Sequence, residues 1–131
     1  DLVVVDAYSS DAIPIHLATQ QAMAIYKRKL APHGAVLMHV SNRHLELSSV
    51  AVGIAAANGL ASWVHTDEDD NSDAYIFSTM VVLSARAAAD IGALAADAGW
   101  VPTPPSPDQR VWTDDYSNVL GALWRRWRGA D

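Results

Sequence analysis

Cysteine is absent from the sequence, which excludes a disulfide framework and any metal site built from thiolates. Basic residues are scarce, since nine lysines and arginines stand against fifteen aspartates and glutamates, and the net charge is −6. An acidic chain without a basic face lacks the electrostatic footprint of a nucleic-acid-binding protein, so we expect no nucleic-acid partner. The five histidines are scattered without the close pairing of a zinc site, so we also expect no metal.

Long apolar runs are missing as well. No apolar stretch approaches the ~20 residues that a membrane-spanning helix needs, and no signal peptide is visible. We therefore expect a cytoplasmic location, and a membrane-tethered parent protein stays open. The chain has 131 residues, of which half are hydrophobic, so it can form one ordinary core. Because it opens on an apparent strand without an initiator Met, we expect it to be a piece of a longer protein.

Apolar runs and amphipathic segments alternate along the chain and predict an α/β fold, with a sheet of about four strands and helices on both faces. The predicted strands are Leu2–Asp6, Ala35–Val40, Ser62–Thr66 and Tyr75–Leu83. The last two should pair antiparallel, because their connection is too short for a crossover helix. The predicted helices run from Ala18 to Lys29, from Leu47 to Ile54, from Ala87 to Ala98 and from Val119 to Trp127.

Several details of these elements are also predicted. The valine-rich first strand should be buried on both faces. Ser84 is a candidate N-cap for the third helix, and Thr113 or Asp114 is a candidate for the last helix. That last helix should bury an apolar stripe formed by Val119, Leu120, Leu123, Trp124 and Trp127. Its terminal arginines, Arg125, Arg126 and Arg128, should complement the helix dipole and stay solvated.

Two carboxylates follow the first strand. Asp6 ends it and Asp11 lies in the loop closed by Pro14. In open α/β sheets, ligands bind beyond the carboxyl ends of the strands, so these aspartates are candidates for chemistry. They can equally serve as caps of the loop or of the next helix. Ser41 and Asn42 follow the second strand and raise the same two possibilities, lining a cleft or capping a helix.

The segment around these aspartates, Val3-Val4-Val5-Asp6-Ala7-Tyr8-Ser9-Ser10-Asp11-Ala12-Ile13-Pro14, resembles the spermidine synthase-like proteins. It is most similar to the bacterial group often fused to a transporter-like membrane segment. Polyamine aminopropyltransferases carry an Asp-Ser-Ser-Asp-Pro loop after the fourth strand of a methyltransferase-like fold. Ser9-Ser10-Asp11 matches the end of that loop, Asp6 matches its first Asp across two extra residues, and Ala12 replaces its Pro. The later segment Trp112-Thr113-Asp114-Asp115-Tyr116-Ser117-Asn118 resembles the same group.

The resemblance implies a partial Rossmann-like sheet of the S-adenosylmethionine-dependent methyltransferase type, with residues 1–131 forming the carboxyl-terminal half of the domain. It implies that Asp6 is catalytic and deprotonates an attacking amine. Asp11, Ser10, Tyr8 and Asn42 would contact that amine, which would be a polyamine or another small amine. The co-substrate of the full domain would be decarboxylated S-adenosylmethionine or S-adenosylmethionine.

The seven glycines are isolated, so the sequence holds no glycine-rich loop for the co-substrate. We therefore expect this chain alone to bind no cofactor and to catalyse nothing. Two alternatives remain open, since fold does not fix function: a methyltransferase relative with another acceptor, and a non-catalytic regulatory or assembly module. We also expect the isolated chain to form a homodimer through the edge of Leu2–Val5, because exposed apolar edge strands invite pairing.

Overall fold

The computed structural model describes residues 1–6, 14–42, 45–67 and 79–128. Within these residues, five strands form one open mixed sheet, namely β1 (Leu2–Val5), β2 (Ala35–His39), β3 (Ala61–Asp67), β4 (Thr79–Ala85) and β5 (Val101–Pro102). The α-helices are α1 (Gln20–Lys29), α2 (Ser48–Ala56) and α3 (Val119–Trp127), and 3₁₀ helices span Ile15–Leu17 and Ala88–Ala96. The predicted α/β class is confirmed, and β5 extends the expected sheet of about four strands.

The strand order is β1-β2-β4-β3-β5. β1 and β2 are parallel and are joined through α1. β4 runs antiparallel to both β2 and β3, which confirms the predicted antiparallel pairing of the third and fourth strands. The part of the fourth predicted strand from Tyr75 to Ser78 lies outside the described residues. Because β1 and β2 are parallel, their carboxyl ends share one edge of the sheet.

The sheet carries a hydrophobic cluster on each face. On one face, Val36, Met38 and Val82 pack with residues of all three α-helices and with the fully buried Trp112. On the opposite face, a smaller cluster contains Ala35, Trp63, Leu83, Ala85 and Ile91. Ile91 belongs to the 3₁₀ segment Ala88–Ala96, so helices do cover both faces, but the second cover is 3₁₀ rather than α.

The prediction of an α-helix from Ala87 to Ala98 is therefore wrong. The backbone breaks at Gly92, whose φ of 57° and ψ of −130° are not helical. Ser84 is not an N-cap either, because it lies buried within β4 and its hydroxyl is 2.9 Å from that of Ser62. The described residues contain no helix with the length and hydropathy needed to cross a bilayer.

The start of α3 also differs from the prediction. Asn118 caps this helix, since its Oδ1 accepts a hydrogen bond from the Gly121 amide at 2.8 Å. Asp114 instead accepts a hydrogen bond from the Thr19 hydroxyl at 2.7 Å. Thr19 in turn caps α1 by accepting from the Ala22 amide. The segment before α3 is thus held against the start of α1 and is not part of a helix.

Two predictions of burial are wrong, one for β1 and one for α3. The physical reason is the same, because no described part of the chain packs on the outer side of either element. β1 lies at an edge of the sheet, and Leu2 and Val4 are more than half exposed while Val3 and Val5 pack on the core. In α3 the fully buried residue is Ala122, whereas most of the predicted buried stripe faces outward.

Candidate functional site

The candidate site lies at the edge where β1 and β2 end. Val5 pairs with Met38 in the parallel register, so the following residues, Asp6 and His39, stand side by side. Pleating alternates side chains between the two faces, and matched positions on neighbouring strands share a face. The register therefore brings together two residues that are 33 positions apart in sequence.

His39 links Asp6 to Ser41. Its Nδ1 lies 2.9 Å from Asp6 Oδ1, and its Nε2 lies 2.8 Å from Ser41 Oγ. The Met80 amide of β4 donates to the same serine oxygen at 2.6 Å. We call Asp6, His39 and Ser41 the edge cluster. About two thirds of the Asp6 side chain and one third of the His39 side chain are exposed, so the cluster opens to solvent at the Asp6 end.

The direction of the protons follows from these contacts. The Ser41 hydroxyl can donate to His39 Nε2 or, at 3.3 Å, to the Met80 carbonyl. When it donates to Nε2 of a neutral imidazole, the ring proton lies on Nδ1 and is donated to Asp6. This hydrogen bond uses one carboxylate oxygen and restrains the orientation of the Asp6 side chain. An exposed, oriented carboxylate of this kind can bind an ammonium group or accept a proton.

Ser-His-Asp combinations also form hydrolytic triads, but the surroundings of Ser41 do not favour that role. The hydroxyl accepts from the Met80 amide and continues the pairing of β2 with β4, which also includes a bond from the Val40 amide to the Met80 carbonyl. Its contacts are those of a residue that closes a strand pair and orients His39.

The predicted site residues have different outcomes. Asp6 and Ser41 both lie at this site, and His39 contacts both of them. Asn42 accepts a hydrogen bond from the Leu45 amide at 3.0 Å, ahead of α2, so it does not cap that helix, whose N-cap residue is Leu47. Tyr8, Ser10 and Asp11 lie outside the described residues, so their contribution stays a prediction.

The sequence analysis did not single out His39 as a candidate site residue. The residue is only partly buried because it is the last residue of β2. Its position at a strand end, one step beyond the apolar run, was the available signal. Its partner could not be identified without the register between β1 and β2.

A second polar cluster lies between the start of α2 and α3. The side chain of Glu46 is almost completely buried and accepts hydrogen bonds from the Ser48 hydroxyl, from the amide and hydroxyl of Ser49, and from Arg125 Nε at 3.3 Å. Burial by itself would raise the pKa of Glu46, but these hydrogen bonds outweigh it and hold the pKa below its ordinary value. Arg125 is therefore an ion-pair partner rather than the solvated residue that was predicted.

This cluster borders a cleft of about 640 Å³ between α2, α3 and residues 103–109. Gln109 and Arg125 line it, and within the described ranges Gln109 Oε1 and Arg125 Nη2 are buried without a hydrogen-bond partner. The contacts of Glu46 connect two helices that are far apart in sequence, so we interpret the cluster as a structural link.

Among the residues that the structure places, no group of three or more histidine, aspartate or glutamate side chains could hold a metal ion. Comparison with protein-family models, curated proteins and solved structures finds no match to this chain. The site is therefore interpreted from its geometry and from the resemblance of its sequence motif.

Proposed function

We propose that this chain forms the amine-binding side of a spermidine synthase-like aminopropyltransferase domain, with Asp6 as the proton acceptor. The observation that carries the proposal is the position of Asp6. This carboxylate lies at the carboxyl end of a strand in a parallel β1–α1–β2 unit, is exposed, and is oriented by His39. Ligands of open α/β sheets bind at this edge.

In the proposed reaction, the nitrogen lone pair of a polyamine attacks the methylene carbon next to the sulfonium of decarboxylated S-adenosylmethionine. A C–N bond forms while the C–S bond breaks, and its electron pair neutralises the sulfur to a thioether. The new ammonium then loses a proton to the Asp6 carboxylate. His39 restrains the orientation of the Asp6 carboxylate, and Asp11 would orient the amine, as the motif resemblance implies.

The architecture supports a division of the domain into two parts. The strands described here contain the acceptor-side carboxylate, and the glycines of the whole sequence are too scattered to form a phosphate- or nucleoside-binding loop. We therefore assign this chain to the carboxyl-terminal half of a Rossmann-like domain, with the co-substrate held by another part of the parent protein. A methyltransferase relative with a different acceptor would use the same edge.

Titration calorimetry of the 131-residue chain with spermidine tests the amine-binding step. We expect measurable binding that weakens with salt, and we expect Asp6→Asn to reduce the affinity by roughly tenfold, which equals about 1.4 kcal/mol. Asp115→Asn removes the same charge at an exposed position outside the edge cluster and should bind as the wild type does. Equal binding by Asp6→Asn and the wild type would refute the role of Asp6.

Turnover in the full-length protein tests the chemical step. Asp6→Asn should lower aminopropyl transfer by about 10²- to 10⁴-fold, the range of general-base contributions, while the melting temperature changes little. If the full-length protein binds spermidine but methylates another acceptor, the methyltransferase alternative replaces the proposal. If it neither binds polyamines nor transfers a group, the domain is a non-catalytic module.

A further inference from the structure

Helix α3 has its large apolar residues on the outside. Leu120, Leu123, Trp124 and Trp127 fall within one ~100° arc of a helix with 3.6 residues per turn, and we call this set the apolar stripe. Trp127 is 88% exposed, Leu120 77% and Trp124 56%. The helix is attached to the core by its opposite side, where Ala122 is fully buried.

Because α3 contacts the core through the small Ala122, its apolar stripe faces away from the rest of the molecule. The Glu46 amide donates a hydrogen bond to the Ala122 carbonyl oxygen at 3.1 Å, and Arg125 pairs with the Glu46 carboxylate. These contacts fix the orientation of the helix on its inner side. Single exposed apolar residues are ordinary, but four on one helix face form a contiguous patch of the kind that marks an interaction surface.

Cations border the stripe. Between Tyr116 and Arg128 the sequence has three arginines and no acidic residue, whereas the whole chain has a net charge of −6. Arg126 is exposed, and the Arg128 guanidinium lies 3.9 Å from the centre of the Trp124 ring. A short helix with Leu and Trp on one side and Arg beside them has the composition of helices that lie in a membrane interface.

The size of the stripe favours a lipid surface over a second protein. It exposes roughly 500 Å², taking at most ~250 Å² for each tryptophan, whereas each partner of a standard protein interface buries ~800 Å². A bilayer needs no matching shape, because tryptophan rings insert at the headgroup level and arginines contact anionic headgroups.

We propose that the apolar stripe of α3 binds the surface of an anionic lipid bilayer, with Trp124 and Trp127 inserted and with Arg126 and Arg128 at the headgroups. This proposal rests on the exposed stripe and on the local charge, and it is independent of the activity proposed above.

Cosedimentation of the chain with vesicles tests the proposal. We expect the wild type to bind vesicles of phosphatidylcholine with phosphatidylserine and to bind phosphatidylcholine alone much more weakly. The double variant Leu120→Ser/Trp127→Ser should lose binding. The matched control Ile25→Ser/Val101→Ser also removes two exposed apolar side chains, but outside α3, and it should bind like the wild type. Circular dichroism and thermal melting establish that each variant is folded.

Two further measurements test the role of the arginines and the depth to which the tryptophans insert. Arg126→Gln/Arg128→Gln should weaken binding to the anionic vesicles by roughly thirtyfold, from the usual contribution of two arginines near such a surface. Brominated acyl chains should quench the tryptophan fluorescence of the bound wild type, and Trp127→Phe should reduce the quenching while vesicle binding is retained.

Three results would overturn the proposal. The first is a wild-type chain that binds neither kind of vesicle, and the second is a stripe variant that binds as well as the wild type. The third is a stable oligomer that Leu120→Ser/Trp127→Ser dissociates, because the stripe would then be covered by a second copy of the chain.

Discussion

Arg125 Nε lies 3.3 Å from Glu46 Oε2, and this ion pair joins the residues just before α2 to the last turn of α3 across 79 positions of sequence. Ser48 and Ser49 complete the shell of donors around the carboxylate. A nearly buried carboxylate with this many donors is stabilised in its charged form, which is the reason that its pKa is lowered.

The lowered pKa predicts a dependence of stability on pH. A carboxyl group whose pKa is lower in the folded state stabilises the fold above its ordinary value of 4.5, and this contribution is lost as the pH falls through the folded-state pKa. Glu46→Gln should therefore lower the free energy of unfolding by about 1–3 kcal/mol at neutral pH. The difference from the wild type should shrink as the solution is acidified below 4.5.

Urea unfolding at a series of pH values measures this difference. Asp115→Asn is the control, because it removes one exposed carboxylate and should leave the pH profile of the wild type nearly unchanged. A gap between wild type and Glu46→Gln that stays constant down to acidic pH would show that the carboxylate is not the source of the stabilisation.

Gly92 and Gly53 have different backbone conformations, so substitution by alanine should have opposite effects on stability at the two positions. Gly92 has a φ of 57° and a ψ of −130°, and nothing lies within 4 Å of an added Cβ, so Gly92→Ala meets backbone strain alone. We expect a loss of about 1–2 kcal/mol in the free energy of unfolding. Gly53 lies inside α2 with its nearest neighbour at 3.8 Å, so Gly53→Ala should gain about 0.5–1 kcal/mol.

Thermal and urea unfolding measure the free energy of unfolding of both glycine-to-alanine variants. If Gly92→Ala is as stable as the wild type, the break in the 3₁₀ segment Ala88–Ala96 is not required by the fold. If Gly53→Ala is destabilised, the space beside α2 is tighter than the 3.8 Å contact with Gln109 indicates.

The edge cluster predicts that His39 acts by positioning Asp6. His39→Ala should weaken spermidine binding severalfold, because the carboxylate loses its fixed orientation, while the free energy of unfolding falls by only about 1 kcal/mol. His33→Ala is a control, since the exposed His33 also contacts an aspartate, Asp90, at 2.8 Å but lies away from the cluster. Calorimetric titration should show no change in affinity for this control, and equal losses in both variants would contradict the positioning role.

Much of the sheet could be predicted from the sequence because its strands are short apolar runs. The core of each strand from β1 to β4 follows such a run, and the antiparallel pairing of β3 with β4 follows from the length of their connection. Strand ends shifted by a few residues, and β5 could not be expected because its two residues lie among prolines, which cannot donate to a strand pair.

The errors share a physical cause, which is that local patterns do not specify what covers a surface. The amphipathic pattern of α3 identified an apolar stripe correctly and assigned it to the core wrongly. The valines of β1 look fully buried in sequence, but an edge position exposes Val4. For the candidate site, the motif located Asp6, whereas the contact with His39 depends on strand register.

The exposed edge of β1 leads to the last prediction, which is that the chain self-associates through this strand. Leu2 is 54% and Val4 57% exposed, and among the strands that the structure describes β1 pairs only with β2. A second copy could pair with the open side and cover these side chains about a two-fold axis, the commonest symmetry of soluble oligomers. Sedimentation velocity at low micromolar concentration should detect a dimer.

Val4→Lys should shift that dimer to monomer, because a charged side chain on an edge strand opposes pairing with another chain. Val101→Lys is the matched control: Val101 is also 57% exposed, but its strand, β5, has only two residues and offers little backbone to a partner. A monomeric wild type would contradict the prediction directly. A dimer that survives Val4→Lys but dissociates with Leu120→Ser/Trp127→Ser would place the contact on α3 instead of β1.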